Sequence, residues 1–153
     1  MELTIAAAAE AAYQKWKDEW EPLHPTLISV LPNEKRKEPE QSWTGAGTVL
    51  DPLSPVFWTK TTFRLLPGVQ FTLGKKGQRL YRREAMIWVQ VFGPENNGTE
   101  FLLDILDEIN EFLEGESFDG LDPSGAVNVT EVGGDGKWYQ YSATYPVAFY
   151  ELK

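Results

Sequence analysis

AMIWVQVF, residues 85–92, is the stretch that decides the fold. Successive side chains of a β-strand point to opposite faces of its sheet, so the stretch divides into two sets. One face carries Ala85, Ile87, Val89 and Val91, and the other carries Met86, Trp88, Gln90 and Phe92. Because both faces are largely apolar, the stretch predicts a strand in the centre of a sheet.

An acidic amphipathic helix is predicted after this strand. Asn97 and Glu100 have the spacing of a capping box, with Asn replacing Ser or Thr, and Gly115 suits the C-terminal cap. The apolar stripe is Phe101, Leu102, Ile105, Leu106, Ile109, Phe112 and Leu113, and the other side carries Asp104, Asp107, Glu108, Glu111 and Glu114. This division is typical of a helix that covers a core.

The C-terminal segment predicts a β-hairpin. Residues 127–132 and 137–149 have strand composition and flank the turn sequence GGDG at 133–136. Pro146 lies inside the second strand, which indicates a bulge or an edge position because proline cannot donate to a strand ladder.

The N-terminal part predicts a helix followed by a long loop. Over residues 2 to about 21, the side chains Ala9, Tyr13, Trp16 and Trp20 recur on one helical face, and Pro22 and Pro25 then end the helix. A short extended piece over 26–31 precedes residues 34–52, where charge, Pro, Gly and Ser predict a mobile loop.

Two further strand segments lie before the central strand. Residues 56–66 are rich in Thr and aromatic side chains, and residues 69–73 alternate again. The sequence GKKG at 74–77 then predicts a projecting hairpin with a basic tip.

The order of helix, loop, strands, helix and hairpin predicts an α+β fold. We expect a mainly antiparallel sheet with both helices packed on one face, plus the projecting hairpin and the long loop. With 153 residues, of which 42% are hydrophobic, the chain can bury one sizeable core, so a single domain over residues 1–153 is expected.

Composition narrows the classes of function. The formal charge of −9, from 23 acidic and 14 basic residues, argues against tight wrapping of nucleic acid by counterion release. The chain has no cysteine, which excludes disulfides and thiolate chemistry. The N-terminus lacks the basic start of a signal peptide, and no stretch approaches the roughly 20 apolar residues that span a bilayer. We therefore expect a soluble, unprocessed protein without a membrane partner.

The residues offer no recognisable catalytic or metal constellation. The lone histidine, His24, is flanked by Leu23 and Pro25, which makes it a poor base for a nucleophilic triad. Without Cys or a His pair, only carboxylate metal sites remain, and residues 119–125 lack the alternating ligands of a calcium loop and predict a turn. We predict no catalytic residue, no metal site and no cofactor, and hence no enzyme.

Two charged surfaces remain as candidate sites. The segment with Lys75, Lys76, Arg79 and Arg82 is basic in an acidic chain, and it is either a solvated arm or an arm that pairs with an acidic surface of a neighbouring subunit. The acids of the predicted second helix are either an ordinary solvated face or part of a surface that meets a basic partner.

Several segments resemble the tail terminator family of tailed bacteriophages. RREAMIWVQVFGP at 82–94, followed by an acidic helix, is similar to the middle of that family, and VGGDGKWYQY at 132–141 is similar to its closing hairpin. LPN at 31–33 and FW at 57–58 resemble its first strand region. The resemblance spans most of the chain except about 35–52, which has the character of an insertion, and these patterns are structural ones.

The resemblance implies a structural protein that forms a hexameric ring on the end of the tail tube. Such a ring stops tube growth, forms the tail side of the head–tail joint and lets DNA pass through its centre without specific binding. The implied partners are the tail tube protein and a neck or head-completion protein, and the implied place is the virion, with assembly in the bacterial cytoplasm.

Site hypotheses follow from the resemblance and the charges together. Lys75, Lys76, Arg79 and Arg82 would engage a neighbouring subunit or the tube. Asp107, Glu108 and Glu111 would lie near the pore or a subunit seam.

Two alternative classes stay open. Another neck or head-completion protein would share the ring-forming logic and differ in its partner. A small α+β ligand-binding protein or enzyme is the other alternative, and ligand-dependent thermal stabilisation would favour it.

Overall fold

The computed structural model describes residues 3–24, 27–32, 57–67, 69–70, 72, 74–95, 99–135 and 138–152. The loop predicted over 34–52, the insertion over about 35–52 and the proposed cap at Asn97 lie outside the described residues. The helices are α1, Ile5–Lys15, and α2, Glu100–Leu113. The strands are β1 Ile28–Val30, β2 Trp58–Leu65, β3 Val69–Gln70, β4 Leu80–Pro94, β5 Asp122–Pro123, β6 Asn128–Gly134 and β7 Trp138–Leu152.

The strands form one mainly antiparallel sheet with β4 and β7 at its centre. The strand order is β1-β2-β4-β7-β5, while β3 pairs with β4 and β6 pairs with β7. Only β1 pairs in parallel, with β2, among the described strand pairs. The long β4–β7 ladder runs from Leu80 opposite Leu152 to Pro94 opposite Trp138. The α+β fold and the central position of residues 85–92 are therefore confirmed.

Both helices cover the same face of the sheet. On β4, the predicted inward set Ala85, Ile87, Val89 and Val91 is buried in one cluster with residues of α1, α2 and β7. From α2, the cluster takes Leu102, Ile105, Leu106, Ile109 and Leu113. Phe101 differs from the prediction, because it is 53% exposed and contacts Phe57, with ring centroids 4.4 Å apart.

The ends of α2 agree only in part with the sequence. The helix begins at Glu100 after Thr99, whose side chain makes no capping hydrogen bond. Gly115 has a φ of +72°, the left-handed conformation that glycine adopts most readily just after a helix. The C-terminal cap is therefore confirmed.

The N-terminal helix is shorter and less regular than predicted. After α1 the chain widens into a π-helical turn, Trp16–Trp20, and then tightens into a 3-10 turn, Glu21–Leu23. The buried stripe is Ala8, Ala12, Trp16 and Trp20, so the prediction was wrong for Ala9, whereas Tyr13 is partly buried against the core. The Tyr13 hydroxyl also accepts a hydrogen bond from the Phe63 backbone N–H, at 2.9 Å.

A buried polar chain connects this irregular turn to the sheet. The Trp16 Nε1–H donates to Ser29 Oγ at 2.5 Å, and Ser29 Oγ lies 3.2 Å from Thr59 Oγ1. All three residues are buried. Because an unpaired buried polar group is costly, this chain fixes the turn against β1 and β2.

Pro146 occupies neither an edge nor a bulge, so that prediction was wrong. It lies opposite Met86 in the interior strand β7, at the point where the other neighbour changes from β6 to β5. The Pro146 carbonyl accepts from the Ser124 N–H at 3.0 Å, and the nitrogen of a strand residue points to the same side as its carbonyl. The missing N–H therefore faces the break between two strands. The register shift lies in β6, between Glu131 and Gly133.

A second, smaller cluster lies on the opposite face of the sheet. The Trp58 ring stacks on Phe92 at 4.0 Å between centroids, and Trp138 packs edge-on against Trp58 at 5.9 Å. Arg64 lies over the Trp88 ring, 4.1 Å from its centroid. The indole N–H of Trp58 is buried and has no hydrogen-bond partner among the described residues.

Candidate interaction surfaces

The basic tip belongs to a hairpin formed by β3 and the start of β4. Beyond the paired strands, the Thr72 N–H donates to the Leu80 carbonyl at 3.1 Å, and the Leu80 N–H donates to Thr72 Oγ1 at 2.8 Å. At the tip, the Gln78 N–H donates to the Lys75 carbonyl at 2.9 Å. Gly77 has a φ of +89°, as the third position of a type II turn requires. Lys76 therefore lies at the apex of the turn.

The tip extends past the end of the sheet. The β4–β7 ladder begins at Leu80 and Leu152, whereas β2 meets β4 only from Leu65 and Ala85 onward. Residues 74–78 are all exposed. The predicted projecting hairpin is therefore present.

The four predicted basic residues divide into two kinds. Lys75 and Lys76 are exposed, and neither side chain has a hydrogen-bond or ion-pair partner among the described residues. Arg79 instead donates from Nε to the Gly74 carbonyl at 2.9 Å, and Arg82 forms an ion pair with Glu84. Two cations thus remain available to a partner, while two stabilise the hairpin and the start of β4.

The neighbouring Arg83 has a structural role. Its Nη2 lies 2.9 Å from Glu151 Oε1, and its guanidinium is 5.3 Å from the centroid of the Tyr81 ring. Glu151 is only 8% exposed, so Arg83 compensates a largely buried carboxylate.

The three predicted acids lie on the outer face of α2. Asp107, Glu108 and Glu111 are all exposed. Glu108 Oε2 is 2.9 Å from His24 Nε2, whereas Asp107 and Glu111 have no ion-pair partner in the described part of the chain. The last turn of α2 contains no basic residue, so its acids also oppose the helix dipole.

Glu108 and Glu111 form the acidic rim of an open cleft. The cleft has a volume of about 440 Å³ and is lined by Trp20, Leu23, His24, Glu108, Glu111 and Phe112. The Trp20 ring is 4.2 Å from the His24 ring and 5.5 Å from the Phe112 ring, measured between centroids. Leu23 is 69% exposed at its edge. The result is an aromatic floor beside two carboxylates.

Sequence reasoning missed this cleft. His24 is a poor candidate for a catalytic base, but its packing on Trp20, four residues earlier, makes it part of this cleft. The spacing of Trp20 and His24 on consecutive helical turns was the available signal. Their meeting with Glu108 and Phe112 depends on how the two helices pack, which no local pattern contains.

Among the described residues, Tyr145 is a strongly perturbed titratable group in the interior. The Tyr145 hydroxyl donates to Asn110 Oδ1 at 2.5 Å, beneath α2. Burial first, and the negative charge of Glu114 second, raise the pKa of Tyr145 well above its ordinary value. This hydroxyl stays protonated and acts as a structural donor between β7 and α2.

The described regions also bear on the metal, calcium-loop and membrane interpretations of the sequence. Within them, no group of three or more His, Asp or Glu side chains is placed to hold a metal ion. Residues 119–120 form a turn, with Asp119 at a φ of +47° and Gly120 at +88°, but the predicted turn over 119–125 was wrong for Asp122–Pro123, which form β5. No helix among the described residues is long and apolar enough to cross a membrane.

Comparisons with known proteins extend to the fold alone. No family model and no curated protein matches the sequence. Thirteen solved chains match the structure. One of them, a protein whose designation states no activity, has a TM-score of 0.61 at 10% identity, and the alignment covers 99% of this chain and 96% of that chain. The match therefore spans the whole α+β architecture.

Proposed function

We propose that this protein is a structural subunit of a tailed bacteriophage that caps the tail tube as a hexameric ring. The observation that carries the proposal is the separation of two complementary surfaces on one subunit. The hairpin tip presents Lys75 and Lys76 without partners among the described residues, and the helical layer presents Glu111 beside an aromatic cleft. The resemblance of residues 82–94 and 132–141 to tail terminators supplies the biological setting.

Such a pair of surfaces favours cyclic assembly. When a subunit binds its neighbour through two different patches, the contact is heterologous, and repetition of the contact closes a ring or extends a filament. Opposite charges on the two patches would also steer subunits into the same relative orientation. A ring that stacks on the tube end would stop addition of further tube subunits.

The overall charge suits a conduit for DNA. A net charge of −9 disfavours the counterion release on which tight DNA binding depends. DNA would then slide through the ring without adhering to it. In this proposal Asp107, Glu108 and Glu111 lie near the pore or at a subunit seam, with the tail tube protein on one side and a neck protein on the other.

The second candidate is another neck or head-completion protein. The same observation favours it, because two complementary patches on each subunit would support ring formation whichever structure the ring stacks on. Co-sedimentation with tail tubes, in parallel with portal-side complexes, separates the two. Binding to tubes supports the tail terminator, and binding only to the portal side supports the second candidate.

Tube growth provides the functional test. Tail tube protein is polymerised with increasing amounts of this chain, and tube lengths are measured by electron microscopy. We expect shorter tubes with capped ends, and loss of capping when Lys75 and Lys76 are both changed to Glu. The control is Lys60→Glu, an exposed lysine on β2 outside the hairpin. Unchanged tube lengths at every ratio of wild-type protein to tube protein would contradict the proposal.

A further inference from the structure

We infer that the cleft between α2 and the turn after α1 is the receptor for the hairpin tip of a second copy of this chain, with the Lys76 ammonium as the group it binds. This inference rests on the proposed self-assembly and specifies the contact that makes it. The acceptor is the cleft lined by Trp20, His24, Glu108 and Phe112, together with Glu111.

The chemistry of the cleft matches a lysine side chain. Aromatic faces attract ammonium groups, and the hydrocarbon stem of lysine packs on apolar surface while its charge stays near water. The partly exposed Phe112 and His24 rings provide the floor, and the buried Trp20 ring lies beneath His24. The Glu108 and Glu111 carboxylates provide the counter-charge. The cleft has a volume of about 440 Å³ and is open to solvent, so a side chain of a partner can enter it.

The Phe112 ring of the cleft already contacts an ammonium group of the same subunit. Lys15 Nζ lies 4.6 Å from the centroid of the Phe112 ring and 4.8 Å from that of Phe118, and it pairs with Glu19 at 3.2 Å. This contact shows that the surroundings of Phe112 accept a cation. Glu111 has no such partner among the described residues.

One carboxylate of the cleft is held in place before any partner arrives. Glu108 contacts His24 at 2.9 Å, and the His24 ring packs on Trp20. A fixed acceptor loses less conformational entropy on binding than a free one. Glu111 has no ion-pair partner in the described part of the chain and is therefore the residue whose charge the incoming lysine would compensate most directly.

The hairpin tip is not positioned to bind the cleft of its own subunit. The hairpin leaves the sheet at the end where β4 begins and β7 ends, whereas the cleft lies in the helical layer over the sheet. Among the described residues, no hydrogen bond or ion pair joins the two. Lys76 lies at the apex of the turn, at the tip of the hairpin, and this position suits insertion into a neighbouring subunit.

The test is a charge exchange between the two surfaces. Lys76→Glu and Glu111→Lys each place like charges at the contact, whereas the double variant keeps the net charge and restores opposite signs. The matched controls are Lys60→Glu and Glu116→Lys, exposed residues that make the same changes in net charge outside both surfaces. Glu111→Lys also places a cation near the C-terminal end of α2, which is favourable for the helix, so the fold is expected to persist.

Self-association is measured by sedimentation equilibrium at low ionic strength, where surface charges are least screened. We expect each single variant to weaken association at least about tenfold, or about 1.4 kcal/mol, and the controls to change it by less than about threefold. The double variant, and an equal mixture of the two single variants, should associate like the wild type. Single variants that match their controls, a double variant that fails to recover, or a wild-type chain that stays monomeric would overturn the inference.

Failure of this inference is distinguishable from failure of the proposed function. If the charge exchange has no effect while the wild type still caps tail tubes, the ring uses other contacts and the proposed function stands. If the exchange behaves as expected while tubes are ignored, the hairpin contact stands and the tail-terminator function fails.

Discussion

Replacing Ser29 by alanine should destabilise the protein by about 2 kcal/mol, because it leaves the buried indole N–H of Trp16 without an acceptor. Trp16 is 1% exposed and Ser29 is 2% exposed, so water cannot take the place of the lost hydroxyl without local opening. An unsatisfied buried donor costs about 1–3 kcal/mol. For a chain of this size, each kcal/mol lowers Tm by roughly 2–4 °C, so we expect a decrease of about 4–8 °C.

Urea unfolding followed by far-ultraviolet circular dichroism measures this loss, with thermal unfolding as a second readout. Thr59→Val is the matched control, because it removes the hydroxyl 3.2 Å from Ser29 and leaves the Trp16 donor its acceptor. We expect a loss below about 1 kcal/mol for the control. A double-mutant cycle with Trp16→Phe should give a coupling of about 1 kcal/mol, within the range for contacting residues. A Ser29→Ala loss below about 0.5 kcal/mol would refute the reasoning.

Three other changes test the packing and the buried charges. Gly93→Ala should lower the unfolding free energy in urea by about 1–3 kcal/mol, because the new Cβ would lie 2.8 Å from a Phe57 ring carbon. The control Gly125→Ala should be nearly neutral, because its Cβ would meet Pro146 at 3.4 Å. Equal losses in the two variants would contradict the packing around Gly93. Tyr145 has a raised pKa in the folded state, so the unfolding free energy should fall as pH rises above about 10. Tyr145→Phe should make that fall less steep in thermal unfolding measured at several pH values. Identical pH profiles for the variant and the wild type would contradict the burial of Tyr145. Arg83→Met leaves the Glu151 carboxylate without this partner and should cost about 2 kcal/mol in urea unfolding, and a loss below about 0.5 kcal/mol would contradict the role of the pair.

Periodicity along the chain was enough to predict the central architecture. Residues 85–92 are buried on one face by helices and half-buried on the other, so their alternation carries the signal of an interior strand. The π-helical turn at Trp16–Trp20 could not be predicted, because a spacing of four residues between aromatic side chains fits an α-helix equally well. The position of Pro146 could not be predicted, because β7 accepts a proline at the point where its neighbouring strand changes from β6 to β5. That change of neighbour is a property of the whole sheet.

The candidate site was predictable by charge but not by contact. Contrast with an acidic chain is enough to single out Lys75 and Lys76, and they are exposed at the hairpin tip. The same contrast cannot tell that Arg82 is engaged by Glu84 within the subunit. Nor can it show that His24 meets a glutamate of α2, since residues far apart in sequence meet only through helix packing.

The most direct test of the proposed function combines absolute mass with images of tube ends. Light scattering coupled to size exclusion is applied to the protein alone and mixed with purified tail tubes, and the same fractions are viewed by negative-stain electron microscopy. The proposal predicts rings, either free in solution or seated on tube ends, with a mass of six subunits. A monomer that leaves the tube ends bare would contradict it.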